Sequence, residues 1–321
     1  MTDQQFETLV SDALETFEKR LDAVVRSDNP FVDAVARHTT SAGGKRFRPG
    51  LVITAAQLFG GGDPEQVLRA GLVVELTHAA SLYHDDVMDE AELRRGVSSA
   101  NNAYGNSVAI LVGDFLFARA SSEVAALGPV YVDLQARTFA ELVTGQIAET
   151  VGPADGVDAI EHHLAVIGGK TASLIRTSAL FGGMVAGADP AQLDALAAYG
   201  WEIGMVFQLS DDLIDVISDT AGKTPGTDLR EGIPTLPTLL LRASNDPADR
   251  ALVAQIDDGL SDDAVLASVL AELRSNKVID QVRAQIAERA DAARTHLAPL
   301  PDGPAKDALA QLCDEVVRRS A

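Results

Sequence analysis

Apolar residues recur along this chain at steps of three and four almost from end to end. Between residues 71 and 90, Leu72, Leu76, Ala80, Tyr83 and Val87 form such a series, which places them on one face of a helix. Strictly alternating segments, the mark of half-buried strands, are absent at any useful length, and Ala and Leu are mixed with Glu, Gln and Arg, all good helix formers. Breakers separate the periodic stretches: SAGGKRFRPG (41–50), GGGDP (60–64), LRRGVSSANNAYGN (93–106), VGPADG (151–156), GADP (187–190), TAGKTPGTDLREGIPTLP (220–237), SNDP (244–247) and PLPDGP (299–304). Several set a closing Gly before an opening Asp-Pro, as helix ends and starts do. No internal repeat and no shift of composition divides the chain. The pattern predicts one all-α domain, 1–321, of ten or more helices.

Composition narrows the function. With 321 residues, 46% apolar and 23% charged, the chain can bury a core, and it is neither disordered nor fibrous. Against 26 Lys+Arg stand 47 Asp+Glu, a net charge of −21. That excludes a large nucleic-acid footprint and disfavours an anionic membrane surface. The single cysteine, Cys313, cannot form an internal disulfide, which fits a reducing compartment. The acidic N-terminus lacks a signal region, and the most apolar stretch, VAILVGDFLFARA, is cut by Asp114 and Arg119. The expectation is a cytoplasmic protein with no transmembrane segment.

Candidate chemistry starts at LYHDDVMDE, where Asp85, Asp86 and Asp89 stand at i, i+1 and i+4. Asp85 and Asp89 are one helical turn apart, about 6 Å along the axis, on a stripe with His78 and Ser81. Like charges at that separation repel by about 3 kcal/mol when partly buried. The spacing recurs in FQLSDDLIDV as Asp211, Asp212 and Asp215, on a face with Gly204 and Gln208. Three carboxylates amid Phe207, Leu209, Leu213, Ile214 and Val216 are more than a solvated face. Two such helices supply oxygen ligands for a hard cation such as Mg²⁺, which takes a few carboxylates and completes its shell with water and substrate phosphate. The pair predicts a metal–diphosphate site.

Cations accompany the acids: Lys45, Arg46 and Arg48 in GGKRFRP, Arg94 and Arg95 just after the first triad, Lys170 with Thr171 in IGGKTASL, and Lys223 in AGKTPGTDL. Neither GKT belongs to a nucleotide P-loop, since the required leading glycine is Leu164 in one and Ile217 in the other. His162 and His163 read as ordinary exposed helix residues, and Cys313 as core.

In order and separation, GGKRFRP, ELTHAASLYHDDVMDEAELRRG, LVGDFLFARA, GGKTASL, FQLSDDLID and GTDLREG resemble the trans-isoprenyl (polyprenyl) diphosphate synthases, over about residues 40 to 240. The resemblance implies an isoprenoid-synthase fold, antiparallel helices around a deep central cavity, in a homodimer. It implies that Asp85, Asp86, Asp89, Asp211, Asp212 and Asp215 hold about three Mg²⁺ on an allylic diphosphate, which Arg94, Lys170 and Lys223 also contact. Lys45, Arg48, His78 and Arg95 would bind isopentenyl diphosphate without metal. Thr171 and Gln208 would line the reacting centre, with Gln146 on the allylic side. Where many relatives carry Lys in the E-G-K-x-T-L-P segment, this chain has Ile233.

By the same resemblance, a bulky residue below the first triad would stop chain growth. Ala80 and Ser81 are small at that depth, with Thr77 one turn deeper and Phe139 a candidate floor, so a product of C30 or longer is expected rather than a geranylgeranyl or farnesyl diphosphate. Small residues here could equally serve close helix packing. A class I terpene cyclase would not need the isopentenyl-diphosphate cations. A non-catalytic partner subunit would be expected to lose aspartates or basic elements that are intact here.

Overall fold

Aspartate–proline pairs open helices as the breaker pattern predicts. In the computed structural model, which describes residues 1–40, 43–218 and 225–319, Asp63 Oδ1 accepts from the amides of Glu65 and Gln66 at 2.8 and 3.1 Å while Pro64 begins the helix. Such a cap is worth about 1 kcal/mol. Asp246–Pro247 repeats the device.

The helices are α1 (Asp3–Val24), α2 (Pro30–Thr40), α3 (Phe47–Gln57), α4 (Pro64–Met88), α5 (Ala100–Tyr104), α6 (Asn106–Leu127), α7 (Pro129–Val151), α8 (Ala159–Ile167), α9 (Ser173–Val185), α10 (Pro190–Ile217), α11 (Thr227–Glu231), α12 (Leu236–Ala243), α13 (Pro247–Asp257), α14 (Asp263–Arg274), α15 (Lys277–His296) and α16 (Pro304–Arg319). Among the described residues the strands are only β1 (Leu93–Arg94) and β2 (Val97–Ser98), one antiparallel hairpin. The all-α expectation holds. Two local features were not predicted: this hairpin, inside a stretch read as a breaker, and a π-helix at Gly168–Ala172 between α8 and α9.

The chain forms two compact units. The first comprises Met1–Ala140, Leu174–Gly200 and Pro299–Ala308, the second Glu141–Ser173, Trp201–Ala298 and Leu309–Ala321. In the first, α4 packs on α6: Leu72, Leu76, Ala80 and Tyr83 meet Ala109, Val112, Leu116 and Ala120, with Phe17, Leu21, Val35 and Ala36 closing the cluster. Burial on α4 is wider than one face, since Val73, Val74 and Glu75 are covered too, as befits a helix enclosed by neighbours. Gly113 belongs to this seam. A Cβ there would collide with the His84 ring and press on the Ala80 carbonyl.

In the second unit, α12 packs on α8, α13 and α15, and α14 joins α13 and α15. Cys313 is buried there, as expected. No helix among the described residues is long and apolar enough to cross a membrane.

Candidate active site

The first acidic triad closes α4, in the first unit. Asp89 is the helix C-cap, its amide donating to the Asp85 carbonyl at 2.8 Å. Asp85 is half-buried and Asp89 exposed, while Asp86 is wholly buried. Arg94 reaches back to Asp86, with Nε and a terminal nitrogen 2.7 and 2.5 Å from Oδ1. The other oxygen, Oδ2, is buried and has no hydrogen-bond partner. An acceptor left so costs about 1–3 kcal/mol or more.

Arg94 owes its place to the hairpin. The turn residues Arg95 and Gly96 have φ of 53° and 80°, the two positive values that a two-residue type I′ turn needs. Arg95 therefore carries strain that glycine would not. Its guanidinium donates to the carbonyls of Thr39 and Gly43.

GGKRFRP splits into three roles. Lys45 is exposed. Arg46 is buried in an ion network, 2.5 Å from Glu18 and 2.7 Å from Glu75, and also donates to the Thr40 carbonyl at 2.9 Å. Arg48 has a buried Nε with no hydrogen-bond partner, and burial, opposed by Glu75 and reinforced by Arg95, lowers its pKa to about 10. Burial, then repulsion from Arg48, Arg95, Arg94 and Arg46, pushes His78 well below the usual histidine range. The unit thus gathers Arg48, Arg94 and Arg95 around His78, with an unmet donor on Arg48, chemistry suited to an anion. Deeper on α4, Ala80 belongs to the α4–α6 core, Ser81 bonds back to the His78 carbonyl at 2.9 Å, and Thr77 accepts from Gln135 at 3.4 Å. Phe139 stacks on Phe117 with ring centroids 4.1 Å apart.

The second triad lies within α10, in the second unit, and distant segments converge on it. Asp211 pairs with Arg319 of α16 at 2.6 Å, and that guanidinium also sits 5.2 Å over the Phe207 ring. Asp215 accepts from the amides of Thr227 and Asp228, both at 3.2 Å, so GTDLREG docks on it through backbone. Asp212 is buried; Gln208 donates to its Oδ1 at 3.0 Å, and His163 Nε2 lies 3.1 Å from Oδ2. The Thr171 hydroxyl donates to Gln208 Oε1 at 3.0 Å, which orients that amide toward Asp212.

Lys170 and Thr171 ride on the π-helix, where the Ser173 amide bonds the Gly168 carbonyl five residues back. Such segments occur often at functional sites. Two glycines permit close approach of α7: a Cβ on Gly145 would lie 2.6 Å from Lys170 N, and one on Gly169 would lie 3.0 Å from the Glu141 carbonyl. Lys170 Nζ pairs with Glu149 at 2.5 Å. Gln146 is buried with Oε1 unpartnered. Lys223 lies outside the described residues, and Ile233 is exposed. Burial holds the Asp228 carboxyl at about 7, with Asp215, Asp212, Glu231 and Glu149 adding repulsion.

Residues 29–273 match the sequence profile of the polyprenyl synthetases. The chain belongs to the polyprenyl synthetase family. It is 43% identical to the nonaprenyl diphosphate synthase of Mycobacterium tuberculosis, over 99% of this chain and 95% of that protein. Among solved structures it resembles a geranylgeranyl pyrophosphate synthase of Corynebacterium glutamicum, complexed with calcium and isoprenyl diphosphate, with TM-score 0.89 and 42% identity over 99% and 98% of the two chains. A decaprenyl diphosphate synthase of Rhodobacter capsulatus matches with TM-score 0.90 and 32% identity over 99% of each chain.

For a polyprenyl synthetase, the polar groups fit a divalent ion. Asp86 offers a buried, unmet acceptor, and repulsion around Asp228 marks an excess of negative charge in the second unit. Among the described residues no three His, Cys, Asp or Glu groups are already drawn into a chelating cluster.

Sequence reasoning missed Glu149, Asp228 and Arg319, and it misread His162 and His163. Neither is an exposed helix residue: His162 is half-buried with Nε2 3.1 Å from the Ala148 carbonyl, and the His163 side chain is 12% exposed and bound to Asp212. No contiguous pattern signalled the His163 contact, because its partner lies 49 positions downstream.

Proposed function

We propose that this chain joins an allylic prenyl diphosphate to isopentenyl diphosphate, head to tail with trans geometry, and repeats the step to C30 or longer. The observation that carries the reading is the pairing of each aspartate triad with its own cations. Arg94 is on Asp86 in the first unit, and Arg319 is on Asp211 in the second, where Lys170 is held by Glu149. The family profile spans parts of both units, which supports one catalytic domain rather than two independent ones.

Asp85, Asp86, Asp89, Asp211, Asp212 and Asp215 would hold about three Mg²⁺. When bound, these ions neutralise charge on the departing diphosphate. Lys170, Arg94 and Lys223 would add positive charge at the same oxygens, where it grows as the allylic C1–O bond breaks. Arg48, His78, Arg95 and Lys45 would grip the diphosphate of isopentenyl diphosphate and align its double bond with the allylic cation. The π electrons of that bond form the new C–C bond, and loss of a proton to the released diphosphate restores an alkene. Thr171 and Gln208 would present polar oxygens beside the cation.

The nonaprenyl and decaprenyl relatives support a long product, as does small Ser81. The 42% identical geranylgeranyl synthase favours a shorter one as the second reading. We further infer a homodimer in the cytoplasm.

Purified protein with labelled isopentenyl diphosphate, Mg²⁺ and allylic primers of several lengths tests activity and length together. Products of C30 or longer are expected; a ladder ending at C20 selects the second reading, and no product from any primer refutes both. Ser81→Phe should shorten the product, and an unchanged length removes Ser81 from the gate. Ala80→Phe would instead overpack the α4–α6 seam and cost about 1–3 kcal/mol of stability.

A further inference from the structure

We propose that His163 is a positioning residue that fixes the Asp212 carboxylate for metal binding. The inference rests on the reading of Asp212 as a ligand.

A carboxylate only accepts hydrogen bonds, so the ring nitrogen 3.1 Å from Asp212 Oδ2 must carry its proton toward it. Gln208 occupies the other oxygen at 3.0 Å. One donor on each oxygen, from α8 and from α10, sets the rotation of the carboxylate plane. Each oxygen keeps a further lone pair for a cation. Both side chains are largely covered, at 12% and 6% exposed, so water competes poorly for the bond.

The helix that carries the imidazole is itself fixed at its start and along its side. Asp158 caps α8, accepting from the amides of Ile160 and Glu161, both at 2.9 Å. His162, the adjacent residue, places Nε2 3.1 Å from the Ala148 carbonyl and so ties α8 to α7. Two neighbouring histidines thus divide the work: His162 anchors the helix, and His163 aims at the carboxylate. Thr171 completes the arrangement from the far side through Gln208. Outer groups of this kind change metal affinity by about 10–100-fold when removed.

The test is titration of the full chain with Mn²⁺ in the presence of inorganic diphosphate, reading free Mn²⁺ by electron paramagnetic resonance. His163→Ala should weaken binding by about 10–100-fold. His163→Gln, whose amide nitrogen can reach the same place, should bind like the parent. In steady state, the Mg²⁺ concentration for half-maximal rate should rise more than the maximal rate falls in His163→Ala, a split that loss of packing alone would not produce. Asp212→Asn should lose metal binding, and His163→Ala added to it should cause no further loss.

Parent-like affinity in His163→Ala alongside loss in Asp212→Asn overturns the positioning role, as does equal loss in His163→Ala and His163→Gln. Parent-like affinity in Asp212→Asn overturns the ligand assignment itself. If His163→Ala does not fold, His163→Asn, too short to reach Asp212, takes its place with the same outcomes.

Discussion

Asp86 and Asp212 occupy the same position in two copies of one motif, yet the protein holds them differently. Asp86 is restrained from eight residues away, by an arginine that a hairpin turns back on it, and one of its oxygens is left without a partner. Asp212 has a donor on both oxygens, one of them from a helix 49 residues upstream. Its neighbours Asp211 and Asp215 are likewise met by α16 and by the start of α11. A repeated sequence motif thus encodes spacing and charge but not support. The first triad is a local construction, and the second exists only once the unit around it has folded.

The hardest blow to this contrast should come from Asp86→Asn. It removes the charge that both Arg94 and a metal ion would use, and kcat should fall about 10²–10³-fold by steady-state assay. Parent-like turnover would mean that the first triad is not the electrostatic centre of its unit.

A middle-sized effect should come from the cations beside it. His78 is held well below the usual histidine range, so the folded chain binds fewer protons there than the unfolded chain, where the imidazole titrates near 6.5. Stability from this group is therefore fully present above about pH 6.5 and declines as pH falls below it. Urea unfolding at pH 7.5 and 5.5 should show a decline that is smaller in His78→Asn. Because an anion would favour the charged ring, diphosphate binding near pH 6 should take up protons, measurable by calorimetry in buffers of different ionisation enthalpy.

The smallest effect should belong to Arg319→Gln. Its pair with Asp211 is open to solvent, 32% and 40% exposed, and such pairs are worth about 1 kcal/mol at most. The melting temperature should move by under about 2 °C. The Mg²⁺ concentration for half-maximal rate should fall, since a competing cation has gone. A rise would show that Arg319 helps hold substrate instead.

How much of this could be read from the chain follows the same division. The helical pattern, the Asp-Pro starts, both triads and the basic elements were legible because each is written in contiguous residues. Arg46 and Arg48 looked alike in GGKRFRP, and only the fold separates a structural ion network from an unmet donor. His163 looked like a surface residue because its partner lies 49 positions downstream. The positive φ of Arg95 was hidden as well, since a turn of that type is normally announced by Asn or Gly at its first position.

The π-helix at Gly168–Ala172 has a consequence that concerns arithmetic rather than chemistry. A π turn holds more residues than an α turn, so this stretch sets the angular phase between His163 upstream and Thr171 within it. Removing one residue would let the segment relax to a regular α course that sweeps nearly the same angle, since about five π residues and about four α residues each make roughly one turn. α8 would keep its heading and His163 its facing toward Asp212, and the residues of the stretch itself, Lys170 and Thr171 among them, would be the ones displaced. Adding one residue instead would swing His163 by about 100° around the helix axis, away from Asp212, although no residue of the site had been replaced. The information here is a count, so the stretch should accept one deletion far better than one insertion.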